Sequence, residues 1–262
     1  MKSDGSRLKV LLVGAGNVAG SLAEPLSRRF ELVGWANRTP EKLYAQLPAP
    51  GCRVLALGEA AGVEADVVIV SVADSALAEV VAAMGRLAGN PLCLLTSGTL
   101  GMEALRPLSE RVGVLYPLQT FTRGFEVDVA AVPFFTEASA AADLALADAI
   151  GGGLGARVCH ADADKRRTLH IAGVMANNFV NILLERTQNI LEDDGFPLEV
   201  VRPLVEMTVR KAFAIGPHAA QTGPARRGDL EVMTRQLARV PDDLKTAFAE
   251  LNKLIIKAHE QD

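Results

Sequence analysis

Leu8-Lys9-Val10-Leu11-Leu12-Val13-Gly14-Ala15-Gly16-Asn17-Val18-Ala19-Gly20 is the stretch on which the fold turns. Its apolar first half reads as a buried strand, its glycines as a tight turn, and Leu22, Ala23 and Leu26 beyond it as the inner face of a helix. The spacing is G-x-G-x-x-G/A, with Ala19 in the third small position, as in a dinucleotide-binding βαβ unit. Gly14 permits the turn, and Gly16 lacks the Cβ that would hold a pyrophosphate off the backbone. Ala19 lets helix and strand approach closely. The helix N-terminus then presents unpaired N–H groups, those of Asn17 and Val18 among them, to the phosphates.

The next strand selects the nucleotide. Glu31-Leu32-Val33-Gly34-Trp35-Ala36 runs into Asn37-Arg38-Thr39-Pro40. A carboxylate at the end of this strand accepts a hydrogen bond from the ribose 2′-hydroxyl of NAD. Neutral Asn37 stands there instead, followed by a guanidinium suited to a 2′-phosphate. Asn37, Arg38 and Thr39 therefore point to NADP.

Composition bounds the remaining possibilities. The 262 residues are 49% hydrophobic and 22% charged, which fits a folded chain of one large domain or two medium ones. A net charge of −4 and 5% aromatic content argue against nucleic-acid binding, which wants a basic face and stacking platforms. No apolar run reaches membrane-spanning length. Met1-Lys2-Ser3-Asp4-Gly5-Ser6 lacks the apolar core of a signal peptide, so a cytoplasmic location is expected. The three cysteines have no C-x-x-C spacing and read as reduced thiols. His160-Ala161-Asp162-Ala163-Asp164 alternates possible metal ligands, but acidic residues at the start of a helix serve as caps, and no metal is expected.

Short apolar runs then alternate with helical patterns. Ala65–Val72 is almost continuous Val and Ile, as in a parallel strand covered on both faces, and is followed by a helix with Leu77, Val80, Val81 and Met84 inward. Further strands are read over Pro91–Thr96, Val112–Leu115, Ala131–Phe135 and Ala156–Cys159. The expected fold is α/β, a doubly wound Rossmann sheet followed by an all-helical C-terminal domain. Boundaries fall at residues 1–161 and 162–262. Ligands of such a sheet bind at the carboxyl ends of its strands, where Ser71-Val72-Ala73, Ser97 and Tyr116 lie.

Leu169–Leu191 reads as one long, buried helix carrying polar residues on an apolar background. With α-helical periodicity His170, Val174, Asn178 and Asn181 share a face. Buried amides and imidazoles cost about 1–3 kcal/mol each when unpaired, so such a face implies either a polar cavity or helix–helix hydrogen bonding. In a cavity His170 is suited to donate a proton as hydride reaches a carbonyl or imine carbon. Downstream, Thr222-Gly223-Pro224 with Arg227-Gly228-Asp229 forms a fixed turn whose threonine and arginine suit an anionic substrate group, with Asp229 placed to cap the next helix.

Taken in order, the glycine turn, Asn37-Arg38-Thr39, Tyr116-Pro117-Leu118-Gln119-Thr120-Phe121, the His170–Asn178 segment and the Thr222–Asp229 loop resemble a known family. It is that of the Rossmann-like NADP oxidoreductases with a C-terminal domain of unknown function. It is more distantly similar to pyrroline-5-carboxylate reductase, deazaflavin-dependent NADP reductases and the 6-phosphogluconate dehydrogenase group. The likeness spans nearly the whole chain and implies a nucleotide domain followed by a helical domain that often forms an intertwined dimer. Two positions depart from the related patterns: Val174 stands where β-hydroxyacid dehydrogenases place a lysine four residues before Asn178, and Tyr116 where the family often has histidine. The expected function is NADP-dependent hydride transfer to a C=O or C=N bond of a small anionic metabolite, with His170, Asn178 and Tyr116 as catalytic candidates. The alternatives are a non-catalytic NADP-binding regulator and a deazaflavin-dependent NADP reductase.

Overall fold

The computed structural model describes residues 6–47, 52–155 and 157–260. Residues 1–5, read above for a leader, and Ala156, the first residue of a predicted strand, lie outside them. The chain divides into two compact units, residues 1–181 and 182–262.

The first unit is built on an eight-stranded sheet. Strand β1 (Lys9–Val13) leads through the glycine turn into α1 (Asn17–Arg29), and β2 (Glu31–Asn37) and β3 (Val54–Ala56) follow. Next come β4 (Val67–Val70), α2 (Leu77–Met84), β5 (Leu92–Leu95), β6 (Val112–Pro117), β7 (Phe134–Ala138), α3 (Ala141–Gly153) and β8 (Val158–His160). The spatial order is β3-β2-β1-β4-β5-β6-β7-β8, and the pairs are parallel except β6 with β7. The chain reverses winding direction between β1 and β4, which opens a crevice at their carboxyl ends.

Alternation along the central strands explains the two-sided cover. Val10 and Leu12, Val67 and Ile69, and Leu92 and Leu94 join a core with Leu22 and Leu26 of α1 and Ile150 of α3. Leu11 and Val13, Val68 and Val70, and Cys93 and Leu95 join a second core with Val80, Val81 and Met84 of α2. A strand buried on both faces must be apolar at every position, hence the unbroken Val/Ile/Leu runs.

Toward the end of the sheet the elements shift from where the sequence placed them. The strand expected over Ala131–Phe135 begins at Phe134, because Val129–Ala131 is a 3-10 turn whose Ala130 N–H donates to the Asp128 carboxylate at 3.1 Å. The following strand runs Val158–His160. Asp162 caps α4 (Ala163–Gly173) by accepting from the Lys165 N–H at 2.9 Å.

The long helix also differs from expectation. It begins at Ala163, passes through a π turn over Val174–Asn178 and continues as α5 (Phe179–Asp193), which has no buried residue in this chain. Ile171, Met175 and Phe179 are exposed. The second unit continues with α6 (Arg202–Ile215), the short α7 (Pro217–Ala220), α8 (Leu230–Arg239) and α9 (Lys245–Ala258). Asp229 caps α8 through the Val232 N–H at 3.1 Å.

Candidate active site

Gly14 adopts φ +110°, and a Cβ there would lie 2.0 Å from the Ser71 carbonyl oxygen. Only glycine fits a turn pressed this closely against the neighbouring strand. The turn is further pinned by Trp35, whose buried indole Nε1–H donates to the Gly14 carbonyl at 2.6 Å. Gly16 is different: a Cβ there meets no protein atom within 4 Å. It caps α1 with no side-chain hydrogen bond and no acidic residue in the first turn, so the leading N–H groups point outward unneutralised. Ala19, fully buried, fills the close-packing role expected of the third small position.

These N–H groups open on a cavity of about 680 Å³ that collects the strand ends. Ala15, Gly16, Asn17 and Val18 line it after β1, and Asn37, Arg38 and Thr39 after β2. Ser71, Val72 and Ala73 line it after β4, Ser97 after β5, and Tyr116 on β6. His170 and Asn178 complete the wall. Apart from Gly14, which acts from behind the turn, the residues expected to hold cofactor or drive catalysis thus share one cavity in the first unit. Thr222, Gly223, Pro224, Arg227 and Asp229 belong to the second unit. There Arg226 donates to the Gln221 carbonyl at 2.8 Å, and Asp229 is engaged as a helix cap.

The polar face of the long helix is composed differently from the α-helical projection. His170 lines the cavity with Asn177 and Asn178, whereas Val174 and Asn181 do not. A π turn takes more residues per turn than an α-helix, so the positions beyond Val174 rotate out of simple i, i+4 register. Asn177 donates to the Asn178 side-chain oxygen at 3.0 Å, making the two amides one unit.

Tyr116 and His170 meet across the cavity. The phenol oxygen lies 3.4 Å from Nδ1, and the ring centroids are 6.4 Å apart. Burial pushes the Tyr116 phenol above its ordinary value, so it stays protonated at neutral pH, and its hydroxyl can either donate to a bare Nδ1 or accept from an Nδ1–H of His170. Gly98 makes the approach possible: a Cβ there would lie 2.7 Å from Tyr116 Cζ and 3.0 Å from His170 Nδ1.

Several cavity residues escape a reading by motif. Lys42, two residues beyond Pro40, adds a second cation to the cavity that Arg38 lines. Asp74 brings a carboxylate, which accepts a hydrogen bond from the Thr99 hydroxyl, itself 3.2 Å from the Ser97 hydroxyl. Asn17 reaches across to donate to the Phe121 carbonyl at 2.8 Å, tying the glycine turn to the loop after β6. The polar residues just beyond Ser71 and Ser97 were the available signal for Asp74 and Thr99, whereas nothing local marks Lys42.

Comparison with known proteins agrees with this architecture. A profile described as "Rossmann-like domain" matches residues 2–120, and one described as "Domain of unknown function (DUF2520)" matches residues 132–255. A crystal structure of a putative NADP oxidoreductase from Bacteroides fragilis is 34% identical, with a TM-score of 0.85 over 96% of this chain and 98% of that one. The chain belongs to this family of Rossmann-like NADP oxidoreductases. More distant members of the fold include a Plasmodium falciparum pyrroline carboxylate reductase with NADP bound, at 12% identity and a TM-score of 0.63 over 96% of this chain and 100% of that one. A reductive aminase from Aspergillus terreus in complex with NADPH and ethyl-5-oxohexanoate is 14% identical, with a TM-score of 0.72 over 96% of this chain and 94% of that one. At these identities the likeness is one of fold. No match was found among curated proteins. Among the described residues, no helix of this oxidoreductase is long and apolar enough to cross a membrane.

Proposed function

We propose that the chain uses NADP to reduce a C=O or C=N bond in a small metabolite. The observation that carries this reading is the meeting, in one cavity, of an uncapped helix N-terminus headed by Gly16 and the Tyr116–His170 pair. The residues fit the dinucleotide. Gly16 leaves its backbone open to a pyrophosphate, and Arg38, Thr39 and Lys42 gather two cations and a hydroxyl where a 2′-phosphate would lie. When bound, the nicotinamide supplies a hydride equivalent to an electrophilic carbon.

The chain's own groups handle the proton and the orientation. Tyr116, kept as a phenol, holds the His170 ring at Nδ1, and the doubly protonated ring releases its Nε2 proton to the oxygen or nitrogen that gains negative charge, which leaves a neutral imidazole with its remaining proton on Nδ1 toward the Tyr116 oxygen. The Asn177–Asn178 amides, which line the same cavity, would hold the acceptor group. In the second unit, Thr222, Gly223, Pro224 and Arg227 remain our candidates for an anionic part of the substrate. The supporting observation is that Arg227 makes no side-chain hydrogen bond or ion pair among the described residues, while Arg226 and Asp229 are engaged.

The test is NADPH oxidation against a panel of oxo acids, imines and a deazaflavin. Turnover of a carbonyl or imine that is lost in His170→Ala supports the reading. Tight NADPH binding with no oxidation by any member of the panel opposes it, and activity with the deazaflavin alone would assign the cavity to a different acceptor.

We further propose a homodimer formed through the second unit. None of its helices has a buried residue, and Phe213 is 91% exposed, with Leu204 and Leu230 each at 67%. Apolar surface on this scale is ordinarily covered, most simply by a second copy of the same face.

A further inference from the structure

Among the described residues Arg166 is the one Lys or Arg that is fully buried, with 1% of its surface exposed. It lies on α4 one turn before His170, so the two side chains share a helix face. Its Nη1 forms an ion pair with Glu137 on β7 and donates to the Ala161 carbonyl at 3.2 Å. Its Nη2 donates to the Leu100 carbonyl at 3.3 Å. Nε has no acceptor among the described residues. A buried guanidinium left one bond short is a poor device for stability alone, since each unsatisfied buried polar group costs free energy.

The groups it grips are the supports of the catalytic pair. Leu100 closes the short loop after β5, in which the Ser97 hydroxyl accepts from the N–H groups of Thr99 and Leu100 at 3.1 and 3.0 Å. That loop is stiff, and it carries Gly98, the residue packed against both Tyr116 and His170. Glu137 stands opposite Val114 in the β6–β7 ladder, and Tyr116 lies two residues further along β6. One guanidinium therefore ties together the helix bearing His170, the strand pair bearing Tyr116 and the loop that separates them.

We infer that Arg166 is a positioning residue: it sets the Tyr116–His170 approach on which proton delivery depends. The inference rests on the reading of that pair as the proton source. Lysine at this position keeps the charge but offers a single nitrogen, which cannot span Glu137 and Leu100 together.

The test uses the 15N ring resonances of His170 in the full-length chain, assigned with His170→Ala among four histidines. In the native background Tyr116→Phe should shift these resonances, because the phenol contacts Nδ1 directly. In Arg166→Lys the shift caused by Tyr116→Phe should fall to less than half, and turnover should drop about tenfold to a hundredfold while NADPH affinity changes less than about twofold. An Arg166→Lys protein that is less heat-stable but keeps the full Tyr116–His170 coupling and turnover would overturn the inference. Should that variant not fold, Glu137→Gln, which weakens the clamp while retaining an acceptor, is read in the same way. The two ideas fail separately. Turnover that survives both His170→Ala and Tyr116→Phe removes the proton-source reading, whereas coupling that survives loss of the clamp removes the role of Arg166.

Discussion

Arg38 offers a single nitrogen, Nη1, to both carboxylate oxygens of Glu79, at 3.0 and 2.9 Å. Glu79 lies on α2 and does not line the cavity, while Arg38 does. Among the described residues Nε and Nη2 of Arg38 make no hydrogen bond, which leaves them free to take up a 2′-phosphate. Both side chains are more than half exposed, so the pair is worth at most about 1 kcal/mol. A dianionic phosphate competes with it readily.

Arg38→Ala should weaken NADPH binding by about tenfold and leave NADH nearly unaffected, as read by titration of each cofactor. Glu79→Gln removes the nearby negative charge and should tighten NADPH by no more than about fivefold, with a steeper dependence on salt. Equal affinity of the native chain for the two cofactors would contradict the assignment of Arg38.

Gly14 and Gly16 should respond oppositely to alanine. At Gly14 the added methyl meets the Ser71 carbonyl and the backbone sits at positive φ, so Gly14→Ala should lose more than about 2 kcal/mol of stability in denaturant titration. Gly16→Ala meets no protein atom, and its melting temperature should be close to native. Its defect should instead appear as weakened cofactor binding.

His170→Ala should lower turnover by about 10²–10⁴ with little change in NADPH affinity. Gly98→Ala should imitate it in part, because the new methyl wedges between Tyr116 and His170. A Gly98→Ala protein with native kcat would show that the close contact of the two rings is dispensable.

Burial pushes the Cys93 thiol up to about 12, against smaller opposing effects of the Arg111 charge and a hydrogen bond with Ser109. The native state thus favours the protonated thiol, while the unfolded chain releases the proton near 9. The resulting stability is complete below pH 9 and is lost as pH rises toward 12. Cys93→Ala should flatten the fall in unfolding free energy between pH 9 and 11, measured by denaturant titration at each pH. Thiol reagents at neutral pH should reach Cys93 only on unfolding.

Light scattering at micromolar concentration should give twice the 27.7 kDa chain mass. Phe213→Ser, at the most exposed of the large apolar side chains, should shift the population toward monomer.

The nucleotide half of the candidate site is the part that local rules single out. A glycine turn between a doubly buried strand and a helix has few other uses, and the end of β2 is found by counting from it. The α2 face of Leu77, Val80, Val81 and Met84 followed from periodicity and is buried as read. The candidate catalytic half was less legible because it depends on contacts distant in sequence. His170 could be picked out, but its neighbours Gly98 and Tyr116 come from separate strand ends, and Trp35 supports the glycine turn through a hydrogen bond that no spacing rule encodes. In sequence Arg166 is one charge among three in Lys165-Arg166-Arg167, and only the fold separates it from its exposed neighbours. Asn177, one of the polar residues of this helix, is left off the shared face, and Asn181 put on it, because the projection assumes unbroken α-helical geometry.

That break in geometry bears on how related chains are to be aligned. The π turn at Val174–Asn178 amounts to one surplus residue in an otherwise regular helix. Deleting a residue here would restore a continuous α-helix and turn every later side chain by about 100°. Hydropathy along the segment would hardly change, yet the amides and the exposed apolar stripe would face elsewhere. A single-residue gap between His170 and Phe179 in a relative therefore separates two orientations of the same helix, and signals a differently furnished cavity even where the surrounding residues are identical.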